Sequence, residues 1–256
     1  MDPLVDATWL ARQLGDGLWR RVETTATIGS TNAELAARAR AGAPSGCVLV
    51  ADHQSRGRGR FSRVWEAPPG RSVALSVLLR PPAAAPRRWL WLPPVAGLAV
   101  ADGLRAAAGV DARLKWPNDV LIDGRKVCGI LAERVEGTPP AAVIGMGINT
   151  LLAENELPVP TATSLALAGA TATTAEVVRD VLGALAGWYR RWADGDDLRE
   201  AYTAHCDTVG RRVRVVVSET EAVEGEAAGV DVDGQLLVRA GGVLRSFAAG
   251  DVWHLR

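Results

Sequence analysis

The densest chemistry in the chain is the run Gln54-Ser55-Arg56-Gly57-Arg58-Gly59-Arg60-Phe61-Ser62-Arg63-Val64-Trp65. Guanidinium forks take anionic oxygens in pairs, and glycine lets backbone N–H groups approach a ligand where a Cβ would intervene. The run is suited to wrapping an anion, and Trp65 just beyond it offers a flat face to a purine. It has almost no apolar surface to bury, so it is expected to stay mobile until its ligand arrives. Two plainer readings compete: a solvated Arg-rich loop, and an RGG-like contact for RNA. The lack of an RNP or KH pattern argues against the second.

Lys115-Trp116-Pro117-Asn118-Asp119 is the second set, with Lys126 following across an Asp123-Gly124 turn. In a β ladder the two segments lie side by side, so two ammonium groups, an amide and a carboxylate gather at one end of a sheet. That set suits phosphoryl chemistry, in which charge is neutralised, a metal-bound phosphate is held and a nucleophile is oriented. Pro117 fixes the corner by removing a donor and pushing Trp116 toward extended backbone. An ordinary exposed hairpin is the plain alternative. The third set, Gly145-Met146-Gly147-Ile148-Asn149, ends an apolar run. It is neither a Walker A loop nor a Rossmann fingerprint, because no GK[ST] follows and the third glycine is missing. It reads as a close-packed strand end whose Asn149 amide could read a base. No GxSxG, HExxH or EF-hand spacing occurs, and His53, His205 and His254 form no ligand-spaced set, so no protein metal ligands are expected.

The elements that must hold these sets can be read from patterning. Asp6 to Leu14 is expected as a short helix and Trp19 to Ile28 as a strand. Ser30-Thr31-Asn32 opens a helix in which Thr31 and Glu34 have capping-box spacing and Gly42 supplies the stop. Strands are expected over Gly46 to Gln54 and Ser72 to Arg80, flanking the Arg-rich loop, and a helix over Pro94 to Ala108 ends at Gly109. Ala112 to Trp116, Asp119 to Ile122, Lys126 to Val135 and Ala141 to Ile148 read as strands and hairpins. An amphipathic helix over Thr174 to Trp192 and a shorter one over Asp197 to His205 follow. From Val209 to Arg256 five short alternating strands predict a small SH3-sized barrel packed on the main domain.

Composition narrows the classes. The 256 residues carry 29 basic and 29 acidic groups, so no global positive field draws the chain to nucleic acid or an anionic membrane. There is no run of about 18 apolar residues to span a bilayer, and Met1 to Asp6 lack the basic n-region of a secretory signal, so a cytoplasmic protein is expected. Only 29 residues precede Ser30. A helix-turn-helix domain takes about 50 to 60, so no DNA-binding domain is expected at this end. Cys47, Cys128 and Cys206 show no CxxC spacing and read as buried reduced thiols.

Taken in order, Ser30-Thr31-Asn32 at a helix start, Q-x-x-GRGR-x-x-R-x-W, KWPND, GRKVCGIL and GxGIN resemble the biotin protein ligase family, of the monofunctional type without a DNA-binding domain. The motifs run from Ser30 to Asn149, and the remainder agrees in architecture. The resemblance implies an α+β fold: a catalytic domain with a central mixed β-sheet flanked by helices, of the class II synthetase-like biotin/lipoate ligase type, plus a small C-terminal SH3-like β-barrel. The division is expected at 1–206 and 207–256.

What the resemblance implies about activity is the use of Mg2+ with ATP to turn biotin into biotinyl-5'-adenylate, followed by transfer to one lysine of a biotin carboxyl carrier domain. A lipoate or octanoate ligase, which shares the fold, is the alternative. Ser30, Thr31, Asn32, Gln54, Gly57, Arg58, Gly59, Arg60, Lys126 and Gly129 match the biotin positions. Arg58, Arg60, Trp65, Lys115, Asn118, Lys126 and Asn149 match the nucleotide positions, with Trp65 stacking on adenine and Asn149 reading its edge. Lys126, Arg60, Lys115 and Asp119 carry the catalytic assignment. Lys126 bridges carboxylate and phosphate, Lys115 touches phosphate, Asn118 supports the metal–phosphate complex and Asp119 orients the incoming lysine amine. The expected partner is the carrier domain, with neither DNA nor membrane, and the protein is expected as a monomer or weak homodimer. Two departures stand out: the family commonly has a second glycine where this chain has Ser62, and a small residue where it has Arg56. Only Lys115 and Lys126 are lysines, against 27 arginines. Both fall in the implied site, where a compact ammonium fits between two anions and a planar fork does not.

Overall fold

The computed structural model describes residues 3–82, 86–218 and 220–255. The helices are α1 (Ala7–Leu14), α2 (Thr31–Arg40), α3 (Leu92–Ala108), α4 (Thr174–Asp194) and α5 (Arg199–His205). The strands are β1 (Arg21–Thr25), β2 (Cys47–Ala51), β3 (Ser72–Leu79), β4 (Ala112–Lys115), β5 (Asp119–Ile122), β6 (Arg125–Val135), β7 (Ala141–Asn149), β8 (Arg212–Val216), β9 (Ala222–Val230), β10 (Leu236–Ala240), β11 (Val243–Phe247) and β12 (Asp251–His254).

A seven-stranded mixed sheet, order β1-β2-β3-β7-β6-β5-β4, has one parallel pair, β1 with β2. Residues on opposite faces of its strands feed two separate apolar clusters. On one face Val73, Leu75, Val77, Ile144, Met146 and Ile148 pack with Leu98 and Leu104 of α3 and Val177 and Val181 of α4. On the other face Leu49, Leu78 and Val143 pack under Leu35, Ala36 and Ala39 of α2. α2 covers only part of that second face, and the rest is left to the site. The five-stranded antiparallel sheet, order β11-β10-β9-β8-β12, is the C-terminal barrel-like unit. Its inward residues, Val213, Val238 and Val252 among them, join the first cluster, so the C-terminal unit shares a core with the main one.

The patterned elements appear close to where they are expected, with one capping correction. Ser30, not Thr31, is the N-cap of α2, its hydroxyl accepting the Ala33 N–H, while Glu34 pairs with Arg38 at 2.8 Å. Thr31 is inside the helix because its hydroxyl is committed to Gln54 and Ser76. Gly42 follows the helix end with φ +88.

Candidate functional site

Register builds the floor of the site. Directly opposed residues in a sheet share a face. Lys115 opposes Asp119, Asp119 opposes Gly129, Gly129 opposes Gly147, and Gly147 opposes Ala74. One row across four junctions thus runs from charged side chains through two glycines to a methyl group. The next row on the same face brings Leu131, Gly145 and Ser76 together. A Cβ at Gly145 would lie 2.3 Å from Asn32 Oδ1, and one at Gly147 would lie 2.5 Å from the Trp65 ring. The glycines are there because side chains from α2 and the Arg-rich loop rest on the bare backbone.

Lys126 joins this face through a bulge. Val120 opposes Cys128 and Leu121 opposes Lys126, so Val127 is the extra residue of β6. In a regular strand, residues three apart face opposite ways. The bulge instead brings Lys126 Nζ to 3.2 Å from where a Gly129 Cβ would be, and to 2.6 Å from Asp119 Oδ1. The backbone of Lys126 is pinned on its other side by Thr161 O and the Thr163 N–H, at 2.7 and 2.8 Å.

The uncharged end is a closed network. Gln54 Oε1 accepts the Thr31 N–H at 2.8 Å and lies 3.0 Å from the Thr31 hydroxyl. Those two donors fix the amide orientation and leave the Gln54 Nε2 as a donor on the pocket wall. Asn32 donates from Nδ2 to Leu131 O at 3.1 Å and to Glu133 Oε2 at 2.8 Å, and its Oδ1 accepts from Ser76 at 2.7 Å. Ser30, Thr31, Asn32 and Ser76 are all buried.

The cationic end is tied by charge. Arg58 Nη2 lies 3.1 Å from Glu133 Oε2, and Arg63 forms a two-point ion pair with Asp251 of β12. Arg60 donates to Asn118 Oδ1 at 2.8 Å and to Gly250 O at 3.4 Å. Asn118 in turn exchanges bonds with Ile130: its Nδ2 donates to Ile130 O, and its carbonyl accepts the Ile130 N–H. Within the loop, Gly59 N–H donates to Arg63 O and Trp65 N–H to Gly57 O, so a small hairpin forms. Polar ties, not apolar burial, shape this loop. A Cβ at Gly57 would meet Trp65 O at 2.3 Å, the reason for a glycine there. The Ser62 side chain lies outside the described residues, and Arg56 is exposed, its backbone N–H on Gly29 O.

Burial pulls the Lys115 pKa below its ordinary value against the opposing pull of Asp119, and desolvation likewise lowers that of Arg60. Lys126 Nζ stands 5.9 Å from the Trp65 ring centroid. Asn149 is buried at the end of β7 with its Nδ2 on Thr163 O at 2.9 Å. The pocket over the glycine floor has a volume of ≈ 30 Å³, and Trp65 forms one wall. A larger cavity of ≈ 440 Å³ opens beside Arg60 and Asn118, toward Trp89, Pro93 and Trp116. Two residues missed in the sequence complete the site. Ser76 interrupts the apolar run 73–79 and Glu133 directly follows the run 127–132, a signal that could have exposed them.

A pocket with neutral hydrogen-bonding groups at one end and clustered cations at the other, on a mixed sheet followed by a small barrel, is the arrangement of a ligase that activates an organic acid. The chain belongs to the biotin/lipoate A/B protein ligase family, whose model matches residues 21–149, and the biotin protein ligase C terminal domain matches residues 208–255. It is 40% identical to the biotin--[acetyl-CoA-carboxylase] ligase of Mycobacterium tuberculosis, over 99% of this chain and 97% of that one. It is 35% identical to the enzyme of the same name from Paracoccus denitrificans, over 82% of this chain and 90% of that one. The bifunctional ligase/repressor BirA of Escherichia coli is 30% identical, with 97% of this chain and 78% of that protein covered. The biotin protein ligase of Aquifex aeolicus, solved in complex with biotin and ATP, shares the fold with a TM-score of 0.73 at 24% identity, covering 94% of this chain and 100% of that one.

Proposed function

We propose that the chain is an ATP-dependent biotin protein ligase. It joins the carboxylate of biotin to the α-phosphate of ATP, releasing pyrophosphate, and passes the biotinyl group to a lysine amine of a biotin carboxyl carrier domain, releasing AMP. One observation carries this reading: the row Lys115, Asp119, Gly129, Gly147 sets cations directly beside a bare-backbone floor, with neutral readers of a polar ring at its far end. Two anions must meet for the first step. Lys126, Arg58 and Arg60 lower that repulsion, with Lys126 between the carboxylate and the phosphate. Asp119, paired with Lys126, holds that ammonium in place and stands where the incoming lysine amine is oriented in the second step. Trp65 supports the adenine, Asn149 faces its edge, and closure of the Gly57 and Gly59 loop keeps water from the adenylate.

Among the described residues no three His, Cys, Asp or Glu side chains gather as a metal cage. The hard oxygens of Asp119 and Asn118 beside the cations fit a magnesium ion that arrives with the triphosphate, held mostly by phosphate. Bound there, it would neutralise phosphate charge. A ureido ring is favoured over the ring of lipoate, because a ring without N–H and C=O groups leaves the Gln54 Nε2 unpaired. The reading includes a cytoplasmic setting, consistent with three buried free thiols, action as a monomer or weak homodimer, and no part for DNA or membrane. No helix among the described residues is long and apolar enough to cross a membrane.

The test is incubation with ATP, magnesium and biotin, followed by detection of pyrophosphate and of biotin on an added carrier domain. Saturating biotin at 100 times its Kd adds about 2.7 kcal/mol of stability, read as a rise in Tm. A rise with lipoate and none with biotin sinks the proposal.

A further inference from the structure

Trp65 borders two cavities. One is the pocket over the glycine floor; the other is a space of ≈ 10 Å³ bounded also by Asp52, His53, Ala67 and Ser72. Three buried polar atoms among the described residues have no hydrogen-bond partner, namely Asp52 Oδ1, His53 Nδ1 and Trp65 Nε1. All three belong to residues lining this second cavity. Asp52 is only 7% exposed, and its other oxygen is taken by the Leu4 N–H at 2.8 Å.

Buried polar groups are almost always paired, so three unpaired atoms around one small space call for a common partner. Their capacities are complementary. The indole N–H only donates, the carboxylate only accepts, and an imidazole nitrogen does either. The space is about that of a single water, which commonly makes about three hydrogen bonds when buried. Burial raises the Asp52 carboxyl above its usual range, and a bond donated by such a water opposes that shift.

We propose that Asp52 and His53 are positioning residues for Trp65: one ordered water accepts the indole N–H, donates to Asp52 Oδ1 and takes His53 Nδ1 as its third partner. The ring rests against Gly129 and Gly147, with ideal Cβ positions there only 2.9 and 2.5 Å from its atoms. Fixing Nε1 therefore restricts how the ring can turn against that floor. The effect on the reaction rests on the reading of Trp65 as the purine platform; the bridge itself does not.

Nitrogen-15 spectra separate the two. The chain has nine tryptophans, and loss of one indole signal in Trp65→Phe identifies the right one. That signal is expected to exchange slowly and to cross-relax with a bound water. His53→Phe should shift it and speed its exchange about tenfold or more, while raising the KM for ATP about fivefold with kcat little changed. Asp52→Ala should act the same way, and Asp52→Asn, which keeps an acceptor, should restore most of the protection. Because Asp52 also holds Leu4, His53→Phe is the decisive variant; the His53 ring makes no other hydrogen bond among the described residues. An indole signal unmoved in His53→Phe, or a crystal structure with that cavity dry, overturns the proposal. A shifted indole with an unchanged KM for ATP supports the bridge and overturns the platform role of Trp65.

Discussion

The two ends of the pocket are held by different forces. At the neutral end, Thr31, Asn32, Gln54 and Ser76 bond to one another and to backbone, and Thr31, Asn32 and Ser76 are each less than 5% exposed. At the cationic end, Arg58, Arg63 and Lys126 rest on Glu133, Asp251 and Asp119 through ion pairs whose side chains keep between 23% and 62% of their exposure. A neutral network whose bonds are used up except for the Gln54 Nε2 donor can hold one shape and reject rings that do not match it. Ion pairs at a wet surface contribute little and can be exchanged for a ligand's anions. On the proposed reading the pocket recognises with its rigid end and reacts with its exchangeable one. Glu133 joins them, since one oxygen takes both Asn32 and Arg58.

The sharpest way to break this contrast is at Lys126. Lys126→Ala should lower the rate of adenylate formation about 100-fold or more, equivalent to about 3 kcal/mol of charge stabilisation. Biotin binding without ATP, checked by calorimetry, should fall much less, because the ring stays held at the neutral end while only the carboxylate loses a cation. Lys126→Arg should recover only part of the rate, because a planar fork does not fit where the ammonium lies beside Asp119 and the Gly129 backbone. Full activity in that variant leaves the scarcity of lysine as compositional bias alone.

The opposite pattern should come from the neutral end. Gly145→Ala sets a methyl group 2.3 Å from Asn32 Oδ1, and Asn32 is held from three sides. Overpacking of about 1–3 kcal/mol is expected, so biotin affinity should fall about tenfold or more while the dependence on ATP changes little. Ser76→Ala leaves Asn32 Oδ1 without its donor and should cost about 1–3 kcal/mol of stability by denaturant titration.

The contrast was only half legible in the sequence. Residue type announced the cationic end, because an arginine and glycine run and two lone lysines stand out in any composition. Spacing also placed Lys115 and Asp119 on neighbouring strands. It did not reveal the bulge at Val127, without which Lys126 would face away from Gly129, because a bulge is a property of two paired strands. Nor could it show that Arg60 and Arg63 lean on Gly250 and Asp251, nearly two hundred positions away. The helix cap was misread by one residue for a related reason. Thr31 has the capping chemistry, but Gln54 and Ser76 claim its hydroxyl first.

A smaller effect tests the exchangeable end by itself. Arg58→Ala removes one tie of the loop to Glu133 but leaves Asn32 bonded to that carboxylate. It should speed loss of preformed adenylate about tenfold and slow its formation less. Salt near 1 M, where the Debye length is about 3 Å, should mimic part of the loss in the unaltered protein. Equal off-rates for both proteins count against a loop that retains the intermediate.

The smallest expected effect lies where the C-terminal unit meets the cationic end. Trp116 N–H donates to the Thr208 hydroxyl at 3.1 Å, and that hydroxyl lies 3.0 Å from His254 Nε2. The hydroxyl has one proton and two acceptor sites, so it takes the amide and still shares a hydrogen bond with a neutral imidazole in either tautomer. Burial first, then Lys115 and Arg211, push the His254 pKa down to about 4 against a weaker pull from Asp207. The unfolded chain, with an ordinary value near 6.5, binds this proton more readily than the folded one. Stability from this group is therefore complete above about pH 6.5, falls as the pH drops toward 4, and changes no further below it. His254→Gln, which keeps an acceptor for Thr208 and cannot titrate, should flatten the fall in Tm between pH 6.5 and pH 4. An equally steep fall in that variant moves the acid sensitivity to other groups and leaves His254 as a hydrogen-bond partner of Thr208 only.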